Sequence, residues 1–175
     1  MRARLLALAA LLTGACTGAP AGIEPVTGFE PARYLGTWYE IARLDHSFER
    51  GLTNVTATYG EEGDGVWVLN RGWDPEDCEW SSVEGTARFL DGPDTASLAV
   101  TFFWPIEGGY HVFMLDEGYR HAVVSGPTRD YLWLLAREPR PEPATVDRMV
   151  AAASEAGFAT DALIRVSHDA PVCEG

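Results

Sequence analysis

Between residues 36 and 137 the chain runs with an apolar–polar period of two, broken about every ten residues by clusters rich in Gly, Pro and Asp. The runs are GTWYEIAR (36–43), TNVTATYG (53–60), VWVLNRGW (66–73), SSVEGTARFL (81–90), SLAVTFFW (97–104), YHVFMLD (110–116), RHAVVSG (120–126) and YLWLLAR (131–137). Period two is the signature of a strand with one face buried, and the breaks carry turn residues. No helical stretch separates any two runs, so parallel βαβ units are excluded and an antiparallel meander remains. Eight such strands escape exposed edges by closing on themselves. The expectation is an all-β, eight-stranded antiparallel up-and-down barrel, wide enough for one small ligand if its inner side chains are not all large.

After residue 143 the period changes. Val146, Met149, Val150, Ala153 and Ala156 share one helical face, Pro143 stands near the start and Gly157 just past the end. This predicts a C-terminal helix over about 144–157, followed by a short ninth strand in LIRVSH (163–168). With 175 residues, 46% hydrophobic and 22% charged, the chain makes one ordered domain, placed at 31–175.

Residues 1–15, MRARLLALAALLTGA, open with two Arg, continue with an apolar run from Leu5 to Leu12 and end in small residues. That is the layout of an export signal, and the run is too short to span a membrane. Thr13-Gly14-Ala15-Cys16 resembles a bacterial lipobox, with Thr13 where Leu is usual. The resemblance implies that Cys16 becomes a lipidated N-terminus, and Thr17 behind it implies the outer membrane, on its periplasmic face. Residues 16–30, rich in Gly, Pro and Thr, read as a lipidated end and flexible tether. Losing Arg2 and Arg4 takes the formal charge from −13 to −15, which argues against nucleic-acid partners. With Cys16 at the anchor, Cys78 and Cys173 remain, an even pair in an exported chain. A disulfide is favoured over a reactive thiol, for which no neighbouring base is apparent.

Gly36-Thr37-Trp38 at the head of the first strand and Arg137 at the end of the eighth form a pair similar to the lipocalin signature. The stretch Tyr34–Arg43, then Phe48–Leu52, Gly109-Tyr110, Tyr119–Ala122 and Asp130–Trp133, resembles the bacterial lipocalins anchored in the outer membrane. The likeness covers residues 31 to about 166. It implies that Trp38 closes the barrel base with Arg137 packed across its ring. It also implies a non-enzymatic binder, storing or carrying fatty acids or lysophospholipids in cell-envelope maintenance, without a cofactor; a homodimer is left open. The Cys78 and Cys173 pair departs from the bacterial branch, and many animal lipocalins join these regions by a disulfide.

With Trp38 pointing inward, alternation assigns the interior. The expected ligand-binding residues are Ala57, Tyr59, Val68, Val83, Val100, Phe102, Met114, Tyr131 and Trp133, with Thr56 pointing outward. Val55, Val66, Asn70, Gly85, Ala87, Leu98, Val112 and Leu135 fall on the same inner face, and the small ones leave space across from Val and Phe. Each inward residue taken alone fits a solidly packed barrel as well; the family resemblance favours a cavity. His46 and Arg50 in the first long loop read as solvated charges or as partners of a headgroup. An enzyme acting on bound lipid would need a thiol or an acid–base pair inside, where Glu40 is the acidic candidate. Haem or metal binding would need ligand partners that His46, His111, His121 and His168 lack at useful spacing. A structural envelope protein without ligand is the last alternative.

Overall fold

The computed structural model describes residues 17–173. Its strands are β1 (Gly36–Arg43), β2 (Thr53–Glu62), β3 (Gly65–Asp74), β4 (Glu79–Phe89), β5 (Ser97–Phe103), β6 (Ile106–Leu115), β7 (His121–Ser125), β8 (Leu132–Ala136) and β9 (Ile164–Arg165). Two helices are present, α1 (Pro31–Tyr34) and α2 (Pro143–Glu155). Each strand from β2 to β7 pairs antiparallel with the next, β8 pairs with β1, and β1 pairs with β2, closing the barrel. The β1–β2 ladder covers only Gly36–Tyr39; farther on, β9 takes the freed edge at Ala42 and Arg43. Connections place the loops after β1, β3, β5 and β7 at one end, the mouth, and α1 with the loops after β2, β4 and β6 at the other, the base.

The barrel's outer face over β1, β7 and β8 is apolar and is covered by α2. Met149, Ala153 and Phe158 pack there on Ala42, Leu44, Val123, Leu132 and Leu134. Gly157 takes a φ of +84° beyond the helix, which ends it with Phe158 N–H donating to the Ala153 carbonyl.

The segment expected as a tether is instead held against the barrel. Val26 N–H donates to the Val112 carbonyl at 2.8 Å, Ala96 N–H to the Val26 carbonyl at 2.9 Å, and Phe29 N–H to the Asp94 carbonyl at 2.8 Å. Ile23 and Phe29 are buried. Gly and Pro content favours a tether, but Ile23, Val26 and Phe29 stand apolar at every third position. Burying them, and pairing backbone groups that would otherwise face water, draws the segment onto the barrel. Residues 1–16, and with them the export signal and Cys16, lie outside the described residues.

Cys78 and Cys173 are joined by a disulfide, 95 residues apart in sequence. The bridge ends a C-terminal strap across the mouth-side ends of β1 to β4. Val166 N–H donates to the Ile41 carbonyl, Asn54 N–H to the Ser167 carbonyl and Trp73 Nε1 to the Val172 carbonyl.

Candidate functional site

The base is sealed by residues close in space and far apart in sequence. Trp38, fully buried, lies with the Arg137 guanidinium 4.0 Å from its ring centroid. Arg137 also donates to the carbonyls of Tyr119 (3.2 Å), Thr37 (3.0 Å) and Arg33 (2.9 Å), so the planar guanidinium satisfies three backbone acceptors at once. Gly36 holds a φ of +90°, and a Cβ there would stand 3.4 Å from Arg137 Nη1. Trp38 Nε1 donates to the Tyr34 carbonyl at 2.8 Å.

Above this plug the hydroxyls of Tyr34 and Tyr59 each lie 2.8 Å from the Tyr110 hydroxyl. Burial raises the ionisation of all three phenols far above its ordinary range, so they remain neutral hydrogen-bonding groups. Below the trio Val66, Ala87, Leu98 and Val112 pack with Trp38, leaving a void of only about 20 Å³. Above it a cavity of about 660 Å³ opens toward the mouth.

Eight of the nine expected inner residues border this cavity: Ala57, Tyr59, Val68 and Val83 from β2 to β4, Val100 and Phe102 from β5, and Tyr131 and Trp133 from the β8 side. Met114 does not. The β6–β7 register shifts between Val112 and Met114, so Phe113 is an extra residue and both it and Met114 pack outside against the α2 cluster. Thr56, expected to point outward, borders the cavity where the β2–β3 register shifts. Gly85 does not contribute free space, because the Phe102 ring stands 2.6 Å from where its Cβ would be.

The polar part of the wall departs most from expectation. A register shift between Glu40 and Ala42 turns Arg43 inward on the same side as Glu40. Both are buried, and Arg43 Nη1 donates to Glu40 Oε1 at 2.7 Å. Glu49 reaches in from the loop after β1: its Oε2 accepts from Trp133 Nε1 at 3.1 Å and lies 3.1 Å from His46 Nε2. Burial, then the neighbouring Glu49 charge, lift the Glu40 carboxyl well above the usual carboxylate range against the pull of Arg43. Burial also acts upward on Glu49, but hydrogen bonds from His46 and Trp133 and the nearby positive charges outweigh it, leaving Glu49 below the usual range. The two carboxyls therefore differ in proton affinity, with Glu49 the ionised member.

The two loop residues differ: Arg50 is a solvated charge, as expected, whereas His46 is not in solvent. His46 is buried, its ring stacked 4.0 Å from that of Phe48 and 5.3 Å from Trp133, while Arg50 is exposed and bonded to Asp45 at 2.7 Å. Asn70, on the expected inner face, borders the cavity with its Oδ1 unpartnered among the described residues. Carrying the alternation back from Val112 reaches Tyr110, so the tyrosine trio left a signal in the sequence. Arg43 and Glu49 lie in stretches that carry the family resemblance, but alternation does not turn either one inward, because a bulge and a loop place them.

A closed antiparallel meander of eight strands, plugged at one end by a tryptophan beneath an arginine and hollow toward the other, defines a calyx with room for a small apolar molecule. Residues 29–168 match the lipocalin-like domain, and the chain belongs to the lipocalin family. It is 49% identical over 168 residues to the outer membrane lipoprotein Blc of Vibrio cholerae, covering 95% of this chain and 98% of that one. It is 50% identical over 155 residues to the Blc lipoprotein of Escherichia coli, covering 87% and 88%. Among solved structures, insecticyanin from the tobacco hornworm Manduca sexta superposes with a TM-score of 0.71 at 18% identity, covering 90% and 91%; that likeness concerns the fold alone.

Proposed function

We propose that this lipocalin binds a hydrophobic ligand, a fatty acid or lysophospholipid, and stores or carries it in maintenance of the cell envelope. In this reading Cys16 is its lipidated N-terminus, left after removal of residues 1–15, and the barrel stands on the periplasmic face of the outer membrane. The observation that carries the reading is the mouth-side cavity of about 660 Å³, walled mainly by apolar side chains and within the usual range of small-molecule sites. A sixteen-carbon chain buried there releases about 10 kcal/mol or more before ordering and association costs, so micromolar binding needs no specific polar contact. The relatives named outer membrane lipoproteins support the location. The engaged state of the interior polar groups favours binding over catalysis: Cys78 is in a disulfide, and Glu40 and Glu49 are committed to Arg43, His46 and Trp133.

Displacement of a fluorescent fatty acid from the purified protein tests this reading. Saturable one-to-one displacement by unlabelled fatty acid or lysophospholipid is expected, and native mass spectrometry of protein taken from membranes should show a retained lipid. Absence of both would leave a structural envelope protein in its place.

A further inference from the structure

The closed end of the cavity carries hydrogen-bonding capacity that the fold leaves unused. Tyr59 and Tyr110 border the cavity there, and Tyr34 stands behind them. Each hydroxyl has one proton to donate, and the two contacts through Tyr110 use two of the three. The third proton has no acceptor among the described residues. The void of about 20 Å³ behind the trio is lined, the phenols apart, by apolar residues such as Phe29, Val66 and Phe89. The cavity is therefore where the spare proton finds an acceptor.

Asn70 leaves the complementary group. It stands on β3 opposite Ala57, while Val68, two residues nearer the base, stands opposite Tyr59. Asn70 thus lies about 7 Å along the strand from the level of Tyr59, at 3.4 Å per residue. Its Oδ1 is buried and without a partner among the described residues. Its neighbours on the adjoining strands are Ala57 and Val83, whose side chains offer no donor. A buried carbonyl left unpaired is costly, so its partner has to come from the cavity. Val68, Val100 and Leu135 make the wall around these groups apolar.

We propose that the closed end is a subsite for a neutral oxygen at the buried end of the ligand, and that the class of ligand it takes is an acyl chain hydroxylated near its far end. This rests on the reading of the cavity as a lipid site. A hydroxyl both accepts and donates, so one group on the chain suits the spare phenol proton and the Asn70 carbonyl. A plain methyl end leaves both unpaired. An ionised carboxylate inserted head-first only accepts, and it adds a second negative charge to a cavity that the ionised Glu49 already borders. Arg137, the cation of the base, is engaged by three carbonyls and the Trp38 ring.

The test is displacement of a bound fluorescent fatty acid from the full-length protein by palmitate and by ω-hydroxypalmitate, which share chain and carboxyl and differ in the terminal hydroxyl. Wild type is expected to bind ω-hydroxypalmitate at least as tightly as palmitate, although the hydroxyl favours water. Asn70→Leu should weaken ω-hydroxypalmitate about tenfold and leave palmitate unchanged. Its Tm should not fall, because an unpaired carbonyl is removed, and Asn70→Val serves if Leu overpacks the wall. Tighter binding of palmitate, by the same ratio in wild type and Asn70→Leu, would overturn the subsite while leaving lipid binding intact; it is the result expected if an ordered water satisfies these groups. Equal weakening of both ligands by Asn70→Leu would put the carboxyl at the closed end and overturn the hydroxyl assignment. Displacement by neither would overturn the lipid reading and this subsite together.

Discussion

Glu40 and Arg43 meet inside the barrel at 2.7 Å, although an odd spacing on a regular strand would put them on opposite faces. The register shift between Glu40 and Ala42 makes the meeting possible, and Arg43 Nη2 adds a bond to the Glu49 carbonyl at 2.7 Å. Removing Arg43 takes a positive neighbour from the ionised Glu49 and leaves the Glu49 and Leu52 carbonyls without their donor. Arg43→Met is expected to cost about 3–5 kcal/mol in urea unfolding. Glu40→Gln keeps an acceptor for Arg43 and mimics a carboxyl that burial holds toward its protonated form, so it should cost about 1 kcal/mol or less. Equal losses from both would show Glu40 to be ionised in the fold.

At the base, Arg137→Lys keeps the charge and loses the planar fork that spans three carbonyls and the Trp38 ring. A loss of about 2–3 kcal/mol is expected, read as a lower Tm, with little change in ligand affinity because the cavity lies on the far side of the tyrosine trio. A large fall in affinity with Tm unchanged would contradict this placement.

Ala57→Trp puts a ring into the cavity from the middle of β2. It should weaken displacement of a bound fatty-acid probe strongly while costing no more than about 1–3 kcal/mol in stability. Thr58→Trp is the control: Thr58 bonds Thr37 through their hydroxyls at 3.0 Å and does not border the cavity, so binding should persist. Equal loss in both variants would displace the ligand site from this wall.

Acid should loosen the fold through His111 and His168. Burial lowers the proton affinity of both below the usual 6.5, so the unfolded chain takes up protons first. Their destabilising effect is absent well above that value and grows as pH falls through it. Glu40 acts with the opposite sign: its raised proton affinity stabilises the fold below the unfolded value near 4.5, and that contribution is lost as pH rises through the folded value. From pH 7 to pH 5 these contributions oppose, and replacing both His111 and His168 by Asn should raise the urea midpoint at pH 5 relative to that at pH 7. A slope unchanged by that double replacement would assign the effect elsewhere.

Reduction of the Cys78–Cys173 bridge, or its removal by Cys78→Ser with Cys173→Ser, frees a loop of 95 residues. The chain-entropy estimate for such a loop is about 4–5 kcal/mol, measurable as a shift in the urea midpoint. A midpoint that does not move would mean the unfolded chain gains little freedom.

Strands and helix were legible because burial on one face imposes a period that survives in the residues themselves. β1 coincides with GTWYEIAR, and Val146, Met149 and Ala153 are the buried face of α2. Legibility stopped at each register shift. Beyond the shift in β6, strict alternation places Met114 inside although it packs outside, and the shift in β1 brings in Arg43, which alternation places outside. A bulge changes the facing of every later residue in its strand without altering composition. Glu49 was illegible for another reason: its position depends on a loop folding back over Trp133, a contact 84 residues away.

The C-terminal strap gives the mouth a stiff side and a compliant one. Ser167, Asp169 and Val172 fasten the ends of β2 and β3, and Cys173 locks the loop before β4, whereas the β5–β6 tip receives no such stay. Breathing of the opening is then unequal around its circumference, as in a purse stitched along half its rim. Amide hydrogen exchange should be slow at Asn54 and fast around Phe103–Glu107, and uniform exchange around the mouth would disprove the asymmetry. Which side of the rim yields is thus decided by a tail that lies outside the barrel wall.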